Sequence, residues 1–245
     1  MNKPKLTNFL FLVLLATMPA CHHQFHPTQV VIVIDPSAST RDIEGSALGL
    51  VEHSCSLPGI GKKSGMFILA TGDESTAMEP VQLGSYQIPR ARKVIEGKAA
   101  NEKYNAKLVQ QISEMLKGVS NTASVSPIYL AVLRGAQLLN AQGCFSNERA
   151  PNCHLYVATD LQETQEKAIR QALLSETDSR LPKDLFIDNT NIEIIFCGLA
   201  ITHGTPGRNA AEAARLERVW KSVFKVPEPV HFQPFCPQPT KGGQK

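Results

Sequence analysis

Short apolar runs alternate along this chain with longer stretches in which apolar residues recur every three or four positions. Residues 30–34 (VVIVI) are five consecutive β-branched residues, the pattern of a strand buried on both faces, as in a parallel sheet. Residues 65–71 (GMFILAT), 154–159 (HLYVAT) and 192–200 (IEIIFCGLA) share that character, and 81–88 and 230–235 read as two further strands. The stretches between them have helical spacing. Over 41–53, Ile43, Ala47, Leu50 and Val51 fall on one side; over 98–116, Tyr104, Leu108, Ile112, Met115 and Leu116 form a stripe. Residues 128–141, 162–174 and 209–224 predict three more helices, the last carrying the single tryptophan, Trp220, which is expected in the core. The Pro-rich residues 227–239 are expected to wander along the surface. Strands alternating with helices predict βαβ units: an α/β fold in three layers, a doubly wound, mainly parallel sheet with helices on both faces. Without internal repeats or an internal linker, residues 30–235 form one domain and residues 236–245 a flexible C-terminal tail.

The first residues have a different logic. Lys3 and Lys5 precede an apolar run over residues 6–18, and Met18-Pro19-Ala20 ends on a small residue before Cys21. The run is shorter than the 18 or so residues that a spanning helix requires, so residues 1–20 read as an export signal peptide. Cleavage would expose Cys21, and the junction resembles a bacterial lipoprotein lipobox, with Met18 and Pro19 where an aliphatic leucine and a small residue are common. That resemblance implies lipidation of Cys21, a tether over residues 21–29, and a place in the bacterial cell envelope, lipid-anchored at a membrane or in the periplasm. The alternative is ordinary cleavage and a soluble product. Both routes leave the cytoplasm, where disulfides are permitted. His22, His23 and His26 in the tether could bind a metal ion, but they are read as an exposed polar linker.

Composition narrows the function classes. Of 245 residues, 42% are hydrophobic and 19% charged, which excludes a disordered, collagenous or coiled-coil chain. A mature domain of this size buries roughly 70% of its unfolded surface. The formal net charge of +3 falls to about +1 without Lys3 and Lys5, and no basic run of five occurs, so nucleic acid is not an expected partner.

Candidate chemistry begins directly after the first strand, with Asp35-Pro36-Ser37-Ala38-Ser39. This D-x-S-x-S lies where open α/β sheets place their ligands, at the carboxyl end of a strand. One carboxylate and two hydroxyls are hard oxygen donors, suited to Mg²⁺ or Mn²⁺. Ser126-Pro127 opens a later helix and Thr159-Asp160 ends a later strand. The three pieces in this order resemble the von Willebrand factor type A family and its metal-ion-dependent adhesion site, over residues 30–225. The resemblance implies a divalent cation, Mg²⁺ or Mn²⁺, held by Asp35, Ser37, Ser39, Ser126 and Asp160. It implies one coordination position left open for an acidic side chain of a protein partner, in a protein that is not an enzyme. Ser126 stands where threonine is usual and Leu161 where glycine is common; Thr122 and Ser124 are rival donors to Ser126. Two other functions compete: a metal-free scaffold of an envelope or secretion assembly, and a metal-assisted phosphohydrolase using Asp35.

Other enzyme signatures are missing from the sequence. Gly45-Ser46-Ala47-Leu48-Gly49 misplaces the serine of a nucleophile elbow, and Gly59-Ile60-Gly61-Lys62-Lys63 lacks the spacing of a phosphate loop. Ser37 occupies the place of the second aspartate that haloacid-dehalogenase-like enzymes require. His203 and His231 have no evident partner. With Cys21 lipidated, five cysteines remain. Cys144 and Cys153 flank one loop and are expected to bond; Cys197 and Cys236 could also meet, with Cys55 as a competitor.

Overall fold

The computed structural model describes residues 27–36, 43–57, 64–73, 76–87, 96–117, 119, 125–145, 151–175, 181–198 and 206–238. The expected signal segment, Cys21, and His22, His23 and His26 of the expected tether lie outside them. The elements run β1 (Thr28–Ile34), α1 (Ile43–Cys55), β2 (Gly65–Ala70), β3 (Val81–Gln87), α2 (Glu96–Leu116), α3 (Ile128–Ala141), β4 (Asn152–Ala158), α4 (Lys167–Leu174), β5 (Ile192–Cys197), α5 (Pro206–Ser222) and β6 (Val230–Gln233). One six-stranded sheet has the order β3-β2-β1-β4-β5-β6. All neighbours are parallel except β2 and β3, so the antiparallel strand lies at an edge.

Strand composition accounts for this arrangement. Every residue of β1 is buried, as a central strand covered on both faces must be. Its alternating side chains seed two cores. Val30, Ile32 and Ile34 pack with Leu50 and Val51 of α1 and Leu108 and Ile112 of α2. Val31 and Val33 pack with Ile128 and Val132 of α3, Ile169 of α4 and Trp220 of α5. The result is three layers, with α1 and α2 on one face and α3, α4 and α5 on the other. Edge strand β3 is largely exposed, which explains its weaker apolar pattern.

Two sequence expectations change. The helix predicted from residue 162 begins at Lys167. Leu161 has φ +66°, and the Glu163 carboxylate accepts the N–H groups of Gln165 (2.6 Å) and Glu166 (3.1 Å), so this stretch is bound as a loop. The Pro-rich terminus includes the expected strand and the Cys197–Cys236 pair that the sequence left open, and what changes is the tail. Residues 230–233 form β6 beside β5, and buried Cys236 bonds Cys197, so the tail expected from residue 236 starts as a fastened strap. The strap crosses α1 at Gly49, where a Cβ would collide with the Pro237 carbonyl.

Two disulfides form, Cys144–Cys153 as expected and Cys197–Cys236. Among the described cysteines Cys55 is free, its thiol pushed up to about 11 by burial and then by Glu52. Among the described residues no helix is long and apolar enough to cross a membrane.

His231 does have a partner. On the α1 side of the sheet, His154 Nδ1 lies 2.9 Å from Glu193, and His231 Nε2 lies 3.7 Å from the same carboxylate. His53 of α1 packs edge-on against Tyr156 in this cluster. Burial holds the His154 imidazole below its ordinary value; the Glu193 carboxylate opposes that shift and His53 reinforces it.

Two measurements test these features. Alanine propagates a helix about 1 kcal/mol better than glycine, but overpacking costs about 1–3 kcal/mol and here should win. Gly49→Ala should therefore lower stability in urea denaturation, and should become neutral or stabilising once the chain is truncated after Cys236. For His154, the unfolded imidazole takes its proton near 6.5 while the folded one resists it. Stability is then full above 6.5 and declines as pH falls below it, and His154→Gln should flatten that slope in denaturation midpoints measured between about pH 4 and pH 7.

Candidate functional site

In a doubly wound sheet the ligand crevice opens at the carboxyl ends of the strands where the winding reverses. Here that point lies between β1 and β4. Asp35 follows β1 directly and is fully buried. Its N–H donates to the Ala158 carbonyl at 3.0 Å, which extends the ladder by one rung. Its carboxylate meets hydroxyls from three separate segments. Ser126 Oγ lies 3.0 Å from Oδ1 and 3.3 Å from Oδ2, and Thr159 Oγ1 donates to Oδ2 at 2.9 Å. Thr71 Oγ1, after β2, lies 3.5 Å from Oδ1. Ser126, Thr71 and Thr159 are themselves buried. An ionised carboxylate removed from water needs such donors, because an uncompensated one costs several kcal/mol.

Thr159 and Ser126 are both held from behind. Thr159 accepts from Leu161 N–H at 3.0 Å, and its own N–H donates to the Cys197 carbonyl at 3.0 Å. Gly198, at φ +96°, follows Cys197; a Cβ there would stand 3.3 Å from the Thr159 carbonyl. Ser126 is clasped by Thr164: its N–H donates to Thr164 Oγ1 at 2.6 Å, and Thr164 N–H donates to its carbonyl at 3.2 Å. Asp160 is half-buried, and its Oδ1 accepts from Gln162 N–H at 3.0 Å. Glu163, only 3% exposed, accepts from Tyr129 N–H at 2.7 Å; burial raises its carboxyl above the usual range, while the N–H donors around it pull the other way.

Of the residues predicted to share a site, Asp35 and Ser126 are in direct contact, and Asp160 stands next to Thr159. Ser37, Ser39, Thr122 and Ser124 lie outside the described residues. Sequence reading missed Thr71, Thr159, Thr164 and Glu163. Thr159 was within reach, since it begins the quoted Thr159-Asp160 pair. Glu163 was hidden inside an apparent helix.

Among the described residues no group of three or more His, Cys, Asp or Glu side chains is arranged to hold a metal ion. The donor set at β1 and β4 is instead one buried carboxylate with hydroxyls, plus the neighbouring Asp160. Hard oxygens of this kind fit a small divalent cation such as Mg²⁺ and do not suit zinc or copper.

No family model matches this sequence, and no curated protein is similar to it. Comparison with solved structures finds distant similarities. The pilus adhesin SpaC of Lactobacillus rhamnosus GG, in its open conformation, is 11% identical with a TM-score of 0.47, over 84% of this chain and 28% of the adhesin. An aerotolerance-related membrane protein from Bacteroides fragilis is 14% identical with a TM-score of 0.36, over 85% of this chain and 92% of that one. The SpRpn10 VWA domain is 10% identical with a TM-score of 0.37, over 88% and 90%. This chain thus spans under a third of the adhesin's length. The six-stranded, mainly parallel sheet with helices on both faces is the doubly wound α/β fold expected from the sequence.

The hydroxyl contacts can be tested singly. Thr159→Val keeps the side-chain shape but leaves Asp35 one donor short and the Leu161 N–H without this acceptor. Urea denaturation should show a loss of about 1–3 kcal/mol, the cost of an unsatisfied buried polar group.

Proposed function

We propose that this chain is a binding module that engages a protein partner through a divalent cation at the end of β1. The observation carrying this reading is the buried Asp35 carboxylate, met by Ser126 and Thr159 hydroxyls from two other segments at the switch point of the sheet. Asp35, Ser126 and Asp160, joined by Ser37 and Ser39, would hold Mg²⁺ or Mn²⁺. Such an ion supplies an electrophilic position for an acidic side chain of the partner. Full burial of Asp35, with both oxygens engaged, favours a supporting role over a nucleophilic one, and so a binding module over a phosphohydrolase. The two disulfides accord with export, and Cys21 with lipid attachment in a bacterial envelope.

Isothermal calorimetry with Mg²⁺ and Mn²⁺ decides the reading. Wild-type protein should bind one divalent ion, and Asp35→Ala should abolish binding while far-UV circular dichroism is retained. No heat at millimolar metal would overturn the cation role and leave the metal-free scaffold. In cells, Cys21→Ser should move the protein from the membrane fraction to the soluble fraction with its metal binding intact.

A further inference from the structure

Helix α3 starts without a cap of its own. Pro127 occupies the N-cap position and makes no side-chain hydrogen bond to the helix. The orphan N–H of Tyr129 goes instead to Glu163, a residue 34 positions away on the loop between β4 and α4. A carboxylate at a helix N-terminus is favoured by the helix dipole. Here it is supplied by a different segment, so it also fixes where that segment lies.

The same loop carries the rest of the scaffold behind Asp35. Thr164, next to Glu163, clasps Ser126 through two hydrogen bonds. Thr159, at the start of the loop, donates to Asp35 directly. Trp220 of α5 donates its indole N–H to the Leu161 carbonyl at 3.1 Å, holding the residue whose φ is +66°. Glu163 joins the two halves. One oxygen accepts from Tyr129 of α3, and the other accepts from Gln165 and Glu166 of its own loop.

From this geometry we infer that Glu163 is the positioning residue of the Asp35 site. It locks the β4–α4 loop to the start of α3, and so presents the Ser126 hydroxyl to the Asp35 carboxylate. The inference rests on the cation-binding reading for its consequence, but its structural part stands apart from it. With Glu163 removed, Ser126 loses its register with Asp35, and the cation would be held by a misaligned donor set.

The test compares Glu163→Ala with Ile169→Val, a truncation in the core under α4 that leaves the clasp untouched, and with Glu163→Gln, which keeps one acceptor oxygen. Amide hydrogen exchange without metal is read at Ser126 and Tyr129, and Mg²⁺ and Mn²⁺ affinity by calorimetry. Glu163→Ala should speed exchange at both amides tenfold or more and weaken cation binding at least tenfold. Glu163→Gln should fall between it and wild type. Ile169→Val should change neither readout, even where its melting temperature drops as far. Unchanged exchange at Ser126 and Tyr129 in Glu163→Ala overturns the inference, as does an equal loss of affinity in Ile169→Val. If wild-type protein binds no cation, the cation reading fails, and the exchange data alone still decide whether Glu163 positions Ser126.

Discussion

A carboxyl group buried at the end of the central strand of an apolar sheet is the constraint around which this molecule is arranged. Asp35 sits at the end of a strand buried on both faces, where water cannot solvate it. Its oxygens are tolerable there only with hydrogen-bond partners close by, and the neighbouring Val and Ile side chains of its own strand supply none. The donors come from the segments after β2, before α3 and after β4. Satisfying one carboxyl group therefore fixes the relative positions of three loops. The loop after β4 cannot continue as helix, because its backbone is committed to Thr159 and Glu163.

The disulfides reinforce opposite ends of the same sheet. Cys144–Cys153 joins the exit of α3 to the start of β4, and Cys197–Cys236 ties the strap to the end of β5 beside Thr159. In the chain-entropy account, closing loops with sequence separations of 9 and 39 restricts the unfolded chain by about 3 and 4 kcal/mol. The second bridge also keeps the strap against α1, the first helix after Asp35 among the described residues.

The layered fold was legible because its signal is local. The VVIVI run of β1, the alternation of strands with helices and the stripe on α2 each report burial through residues adjacent in sequence. Asp35 and Ser126 were legible for a different reason: their residue types and order match a known pattern of oxygen donors. Glu163 and Thr164 were not legible. Their hydrogen bonds reach residues more than 30 positions away, while their immediate surroundings, with Ile169, Ala172 and Leu173 at helical spacing, suggest a longer helix. The strap was legible in part, in its strand and in a possible Cys197–Cys236 pair, but its seat at Gly49 of α1 was not, because that contact forms at long range.

The placement of β1 has a mechanical consequence. The chain enters the domain at Thr28, and Asp35 lies beyond the other end of the same strand, about 20 Å away for seven residues. A load applied between the entering chain and anything gripping the Asp35 end runs along the strand axis. β1 is hydrogen-bonded in parallel to β2 over six residue pairs and to β4 over seven. Tension in that direction shears both ladders at once, so the rungs share the force and none opens alone. The element that displays the site is then also the element best placed to bear a pull upon it.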